Sequence, residues 1–402
     1  MRIVLFYSET ESFNYFADQL FKELQGRGHE VFIWDLRRER EKDPLYLHSS
    51  VNFRKFVSQR VDLVISFDGI GSRDDAQIGL WDASQALVVD ILMDPPFRFH
   101  PVLEKHSRNY LLFCCDLEHV EYVKKYFSRT VPYVLFMPHV GTVPPKGASV
   151  IPYCDRAYDI LFSGTYYRPS DWIMSLREKC QGNETMIRFF DLVYENLIGD
   201  SALTMDQAIG LSLSQANWQI SQKERLLLLH LSQMTDWAVR MYQRERVVTV
   251  LAEAGFQLHL LGRGWENHPA AGLPNVRRIS DRIPYGETLS YMANAKINLN
   301  VMPGFKAGTH DRIFNTLLQR SVPLTDSSLW LDENFVDGQE IALYDLKALD
   351  QLPAIANRLL TDVPYAENII QNGHELVLRN LTWSHCADWV LEAADQLLPC
   401  RR

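Results

Sequence analysis

Short unbroken apolar runs alternate along this chain with segments whose apolar residues recur every three or four positions. Residues 3–7 form the first run, the pattern of a parallel strand covered on both faces. Phe13, Phe16, Leu20, Phe21 and Leu24 then keep helical spacing up to the turn at Gly26 and Gly28. Residues 31–34 read as a second strand, so the chain opens with a βαβ unit, the crossover that parallel pairing requires. Further strands are predicted over 63–67, 86–93, 110–115 and 134–137.

The segment 140–149, VGTVPPKGAS, breaks the pattern with Pro and Gly and reads as a linker. A strand at 159–162 follows, then a long helical stretch at about 185–254. Alternation resumes with strands at 257–261, 276–279, 297–301 and 322–325, a helix at 289–293 and another at 311–318. Two doubly wound α/β halves account for this order. The first domain is expected over 1–147 and the second over 148–385, with the helical stretch as its insertion. A closing helix over 386–402 is expected to pack back on the first domain.

A length of 402 residues fits two domains better than one core. The net charge of −9 argues against a nucleic-acid backbone as main partner. No run approaches the ~20 apolar residues of a membrane span, and the first run is too short for a secretory signal. The six cysteines form no CxxC pair, and Cys114 and Cys115 lie in an apolar run as core thiols. A cytoplasmic protein with no membrane span is expected.

Polar clusters follow the ends of predicted strands, where open α/β sheets bind ligands. The strongest is 302–326. A loop with Gly304, Lys306 and Gly308 precedes Thr309, read as a helix cap, and then His310, Asp311 and Arg312 in the first turn. A helix start of this kind offers free amides and partial positive charge to a diphosphate, with Lys306 or Arg312 neutralising the remainder. Asp311, Arg312 and Asn315 are expected to share a face that holds a ribose, and Arg312 to contribute little packing. An ordinary capped helix with a surface Asp311–Arg312 pair is the competing reading. Gly164 and Tyr166, after the strand at 159–162, and Gly262, after 257–261, are expected to face the same nucleotide. Tyr285, read as a loop residue beside Glu287, would flank a base. In the first half the candidates are Asp94, in the loop after 86–93, and His139, after the last strand. Glu9 and Glu11 read either as an acceptor-side base or as acids at a helix start. No residue spacing argues for a metal, and no GxSxG or Walker sequence is present.

The segment GTHDRIFNTLLQRSVPLTDSSLWLDENF (308–335) resembles the C-terminal domain of bacterial CgeB-like glycosyltransferases, related to the large "group 1" GT-B family. RERVV at 244–248, LLGRGW at 260–265 and Thr382-Trp383 fit the same pattern in order. MDPPFRFH, CCDLEHVEYVKKYF and FMPHVG in the first half resemble the companion domain. The resemblance implies a GT-B fold, two Rossmann-like domains facing a central cleft, with the nucleotide sugar held by the second. It implies sugar transfer to an acceptor, hexosyltransferase-like, with no cofactor and a UDP-sugar as the first candidate donor. Asp94 would lie near the transferred sugar and His139 near the hinge. Asn315 stands where group 1 enzymes place a Glu for the donor ribose, and Ala307 falls near the first acid of their paired-glutamate motif. A non-catalytic sugar-binding assembly factor and a GT-B-type epimerase are the alternatives to a metal-independent transferase.

Overall fold

The computed structural model describes residues 1–37 and 51–398, which divide into two compact units. The first comprises residues 1–142 and the chain from Asn380 onward; the second comprises 143–379.

In the first unit the apolar runs form β1 (Arg2–Tyr7), β2 (Glu30–Asp35), β3 (Leu63–Phe67), β4 (Leu87–Leu92), β5 (Tyr110–Cys114) and β6 (Val134–Phe136). They pair in parallel in the order β2-β1-β3-β4-β5-β6. Every residue of β3, β4 and β5 is buried, as continuous apolar runs require. Cys114 and Cys115 are buried free thiols. Helix Glu11–Gly26 turns Phe16, Ala17, Leu20 and Leu24 inward. The closing helix, Trp383–Leu397, packs on it: the Trp383 ring lies 5.1 Å from that of Phe16, and Arg27 forms an ion pair with Asp388 at 2.9 Å. The Trp383 indole also donates to the Thr142 hydroxyl at 3.1 Å. The end of the closing segment, 399–402 with Cys400, lies outside the described residues.

The second unit contains β7 (Tyr158–Ser163), β8 (Leu258–Leu261), β9 (Val276–Ser280), β10 (Ala295–Asn300), β11 (Val322–Asp326) and β12 (Ala342–Tyr344). These too are parallel, in the order β12-β11-β10-β7-β8-β9. The chain builds β7, β8 and β9 outward on one side, then returns to build β10, β11 and β12 on the other. The order therefore reverses between β7 and β10; in the first sheet it reverses between β1 and β3. Crevices beyond the carboxyl ends of strands open at such points.

The helical stretch predicted as one block is four helices, Glu184–Gly199, Met205–Gln215, Gln222–Leu231 and Gln233–Glu253. Asn183, Thr204 and Ser221 start the first three, each accepting a backbone amide three residues on. Strand β12 was not anticipated, because three residues carry no period.

Candidate functional site

The switch point of the second unit gathers the polar residues. Phe162, near the end of β7, is a fully buried ring close to two guanidiniums: Arg244 is 5.3 Å and Arg312 5.4 Å from its centroid. Arg312 donates to the Asn300 side-chain carbonyl at the end of β10. Asn300 in turn donates to the Thr325 hydroxyl of β11 at 2.8 Å, and its backbone carbonyl accepts the Tyr344 hydroxyl at 2.6 Å. The strand ends are thereby tied into one polar network.

Arg312 differs from expectation. Its spacing puts it on a face with Asp311 and Asn315 where it would contribute little packing, but it is 9% exposed and turned toward β10; Asn315 is buried too. Ile313, Phe314 and Leu317 of the same helix are fully buried, so the apolar face reaches round to Arg312. The polar face proper is Tyr285, Asp311 and Asn315. The Tyr285 hydroxyl donates to Asp311, and Asn315 donates to Tyr285 at 2.9 Å and to Asp311 at 3.4 Å. Tyr285 is not a loop residue. It opens helix Tyr285–Ala293 with Glu287, after Pro284 fixes the entry.

The cap of helix Asp311–Leu318 is His310, not Thr309. His310 Nδ1 accepts the Arg312 amide at 3.2 Å and also lies 2.8 Å from Asp311. Both contacts need the same nitrogen. Burial lowers the His310 pKa, which favours the neutral ring with Nδ1 accepting the amide. Thr309 is fully buried, and the Gly308 carbonyl accepts the Ser328 hydroxyl at 2.6 Å. Lys306 donates to the Ser201 carbonyl.

The glycine loops after β7 and β8 pack on each other. A Cβ at Gly262 would stand 2.3 Å from the Gly164 carbonyl oxygen, and one at Gly264 1.9 Å from that of Tyr166. A Cβ at Gly164 would come within 3.3 Å of the Arg312 guanidinium. Tyr166 is fully buried; its ring stacks on Trp265 and its hydroxyl donates to Glu245. Its side chain belongs to the core.

Two arginines that spacing did not single out complete the cluster. Arg240 and Arg244 stand one turn apart on helix Gln233–Glu253. Arg240 pairs with Asp236 at 3.0 Å. Arg244 donates to the Thr165 carbonyl, but it has no carboxylate within 4 Å and its Nε has no hydrogen-bond partner among the described residues. Burial, then Arg312 and Arg240, push its pKa down to about 9. A half-buried cation without a close counter-charge is costly, and two guanidiniums beside one ring, with Arg240 near, favour an anion. The signal in sequence was an i, i+4 arginine pair, Arg240 and Arg244, just ahead of the apolar Val247-Val248. Asp326, at the end of β11, was also missed; it accepts the Met302 amide at 2.8 Å, and burial raises its pKa to about 7.

In the first unit, Asp94 follows β4 and pairs with Arg98 at 3.3 Å, whereas His139 is a buried residue after β6. Among the described residues, no group of three or more His, Cys, Asp and Glu is placed to hold a metal, and no helix is long and apolar enough to cross a membrane.

Residues 243–392 match the family model described as glycosyl transferase-like. No curated protein gave a significant match. Among solved structures, a sucrose-phosphate synthase from Thermosynechococcus elongatus superposes with a TM-score of 0.56 over 100% of both chains at 11% identity. An α-glucosyltransferase in complex with UDP-glucose and DNA containing an abasic site gives 0.54, covering 98% of this chain and 99% of its own at 12% identity. The chain therefore has the GT-B fold, two Rossmann-like α/β domains, and carries a glycosyl transferase-like segment. Together these findings support sugar transfer in general.

Proposed function

We propose that this chain is a GT-B glycosyltransferase that moves a hexose-type sugar from a nucleotide diphosphate sugar to an acceptor hydroxyl or amide, without a metal. One observation carries the donor assignment. Arg244 is a half-buried cation with no carboxylate within 4 Å among the described residues, set beside Arg312 and Arg240 at the β7/β10 switch point. A diphosphate supplies the missing counter-charge. As the sugar leaves, negative charge grows on that diphosphate, and fixed guanidiniums stabilise it with no reorganisation. Gly164 leaves Arg312 room, since a Cβ there would come within 3.3 Å of the guanidinium.

Tyr285, Asp311 and Asn315 form the polar surface for the ribose and base, in place of the acid that group 1 enzymes use. A UDP-sugar is the donor favoured by the resemblance, and the α-glucosyltransferase of similar fold was solved with UDP-glucose. Asp94 and His139 are assigned to the acceptor side. Membership of the CgeB-like group rests on the motif order from 244 to 383.

Turnover of UDP-glucose by the purified full chain, with and without EDTA, tests the proposal. Transfer or slow hydrolysis that persists in EDTA is expected. Strict dependence on an added divalent ion would remove metal independence, and no turnover of any nucleotide sugar would remove the activity.

A further inference from the structure

The first unit has its own crevice, at the β1/β3 reversal. A pocket of about 280 Å³ opens there, lined by the segment after β1, including Glu9 and Thr10, and by the segment after β3, including Asp68, Arg73 and Asp74. Phe13 and Phe99 give it apolar walls. This is the position where a sheet of order 2-1-3-4-5 takes its ligand.

Asp68 is the distinctive residue. It lies in the left-handed region, at φ 51°, in a turn held by Asp90, whose carboxylate accepts the Gly69 amide at 2.9 Å and the Tyr110 hydroxyl at 2.9 Å. A non-glycine residue held there by its surroundings marks a functional turn more often than an arbitrary one. Asp68 is 8% exposed. Its Oδ1 accepts the Met93 amide at 2.8 Å, and its Oδ2 has no hydrogen-bond partner among the described residues. Oδ2 is not among the buried atoms without a partner, so it is open to the pocket, where a ligand hydroxyl can reach it.

Charge decides the ligand class. Glu9, Asp68 and Asp74 line the pocket together with Arg37 and Arg73, and Arg37 already pairs with Asp35 at 3.3 Å. Burial and the nearby Asp94 hold Asp68 well above the usual carboxylate range, toward its neutral form. The pocket thus favours neither a cation nor an anion. Its volume lies just below the range of ligand pockets, roughly 300–1,000 Å³, so it takes no more than a single ring. Hydroxyl groups, which donate and accept, suit a rim of mixed charge, and the aromatic walls suit the C–H face of a saturated ring.

We propose that this pocket binds one neutral polyhydroxylated ring, a monosaccharide or cyclitol unit, with Asp68 paired to one of its hydroxyls. That the ring is the acceptor rests on the transfer reading above; the binding itself does not.

Saturation-transfer NMR on the full chain, without donor, tests it with methyl glucoside and myo-inositol as probes at tens of millimolar. Binding of at least one is expected. Asp68→Gly suits the left-handed backbone and removes the carboxyl, and should weaken it at least tenfold. Thr10→Trp, at an exposed position on the rim, should abolish it by filling the pocket; this variant decides if Asp68→Gly fails to fold. No binding of either probe to the wild type, or equal binding to wild type and Thr10→Trp, overturns the proposal. Binding that both variants lose in a chain with no transferase activity upholds the pocket and refutes the transfer reading. Transfer whose acceptor KM neither variant alters does the reverse.

Discussion

Arg312 and Asn300 are joined side chain to side chain across the end of β10, with the guanidinium buried over Phe162. The most functional-looking arginine of the helix start is thus also part of the core. Arg312→Ala should lower stability by about 1–3 kcal/mol, since it strands the Asn300 carbonyl, besides weakening nucleotide binding. Arg312→Lys should recover only part of either, because an ammonium cannot bridge as a planar fork does. Urea unfolding and calorimetry on the three proteins check both effects.

Asp326 and Asp90 predict a pH dependence. Burial raises the first to about 7 and the second to about 6, from an ordinary value of 3.8. For acids raised in this way, the unfolded chain ionises first. Their contribution to stability is complete below about pH 4 and is lost as pH rises through 6 to 7. Asp326→Asn keeps an acceptor for the Met302 amide and removes the titration. Its thermal midpoint relative to wild type should be higher at about pH 8 than at about pH 5, and a constant difference would contradict the assignment.

Gly264 shows the tightest approach between the β7 and β8 loops. At φ 84°, a Cβ would meet the Tyr166 carbonyl at 1.9 Å. Gly255, at φ 87°, has open space. Gly255→Ala should cost only the left-handed backbone penalty of about 1–2 kcal/mol. Gly264→Ala should cost roughly 2–5 kcal/mol, because strain and overlap add. Denaturant midpoints of the two variants measure the difference directly.

The strands were legible because parallel sheets bury both faces. The residues of β3 predicted from its apolar run, 63–67, are those observed, and β5 differs by one residue. Helix boundaries set by side-chain caps inside the 185–254 stretch were not, since Thr204 and Ser221 look like any polar residues within an amphipathic run. In the site, spacing along one helix correctly joined Asp311 to Asn315. It did not reveal that Arg312 packs into the core, its long side chain reaching sideways to β10. Arg244 and Asp68 were overlooked for a common reason. Arg244 meets Arg312 68 positions later, and Asp68 is set apart by an unusual φ and by burial, quantities that exist only once distant strands align.

Calorimetric binding of UDP to the wild type and to Arg244→Met tests the donor site most directly. Methionine keeps the unbranched apolar stem and removes a half-buried cation that has no carboxylate within 4 Å among the described residues, so the variant should be about as stable as the wild type. UDP affinity should nevertheless fall by about tenfold or more, the loss of a charge-assisted contact worth roughly 1.5–3 kcal/mol. Equal UDP affinity in the two folded proteins, or a wild type that binds no nucleoside diphosphate, would contradict the account.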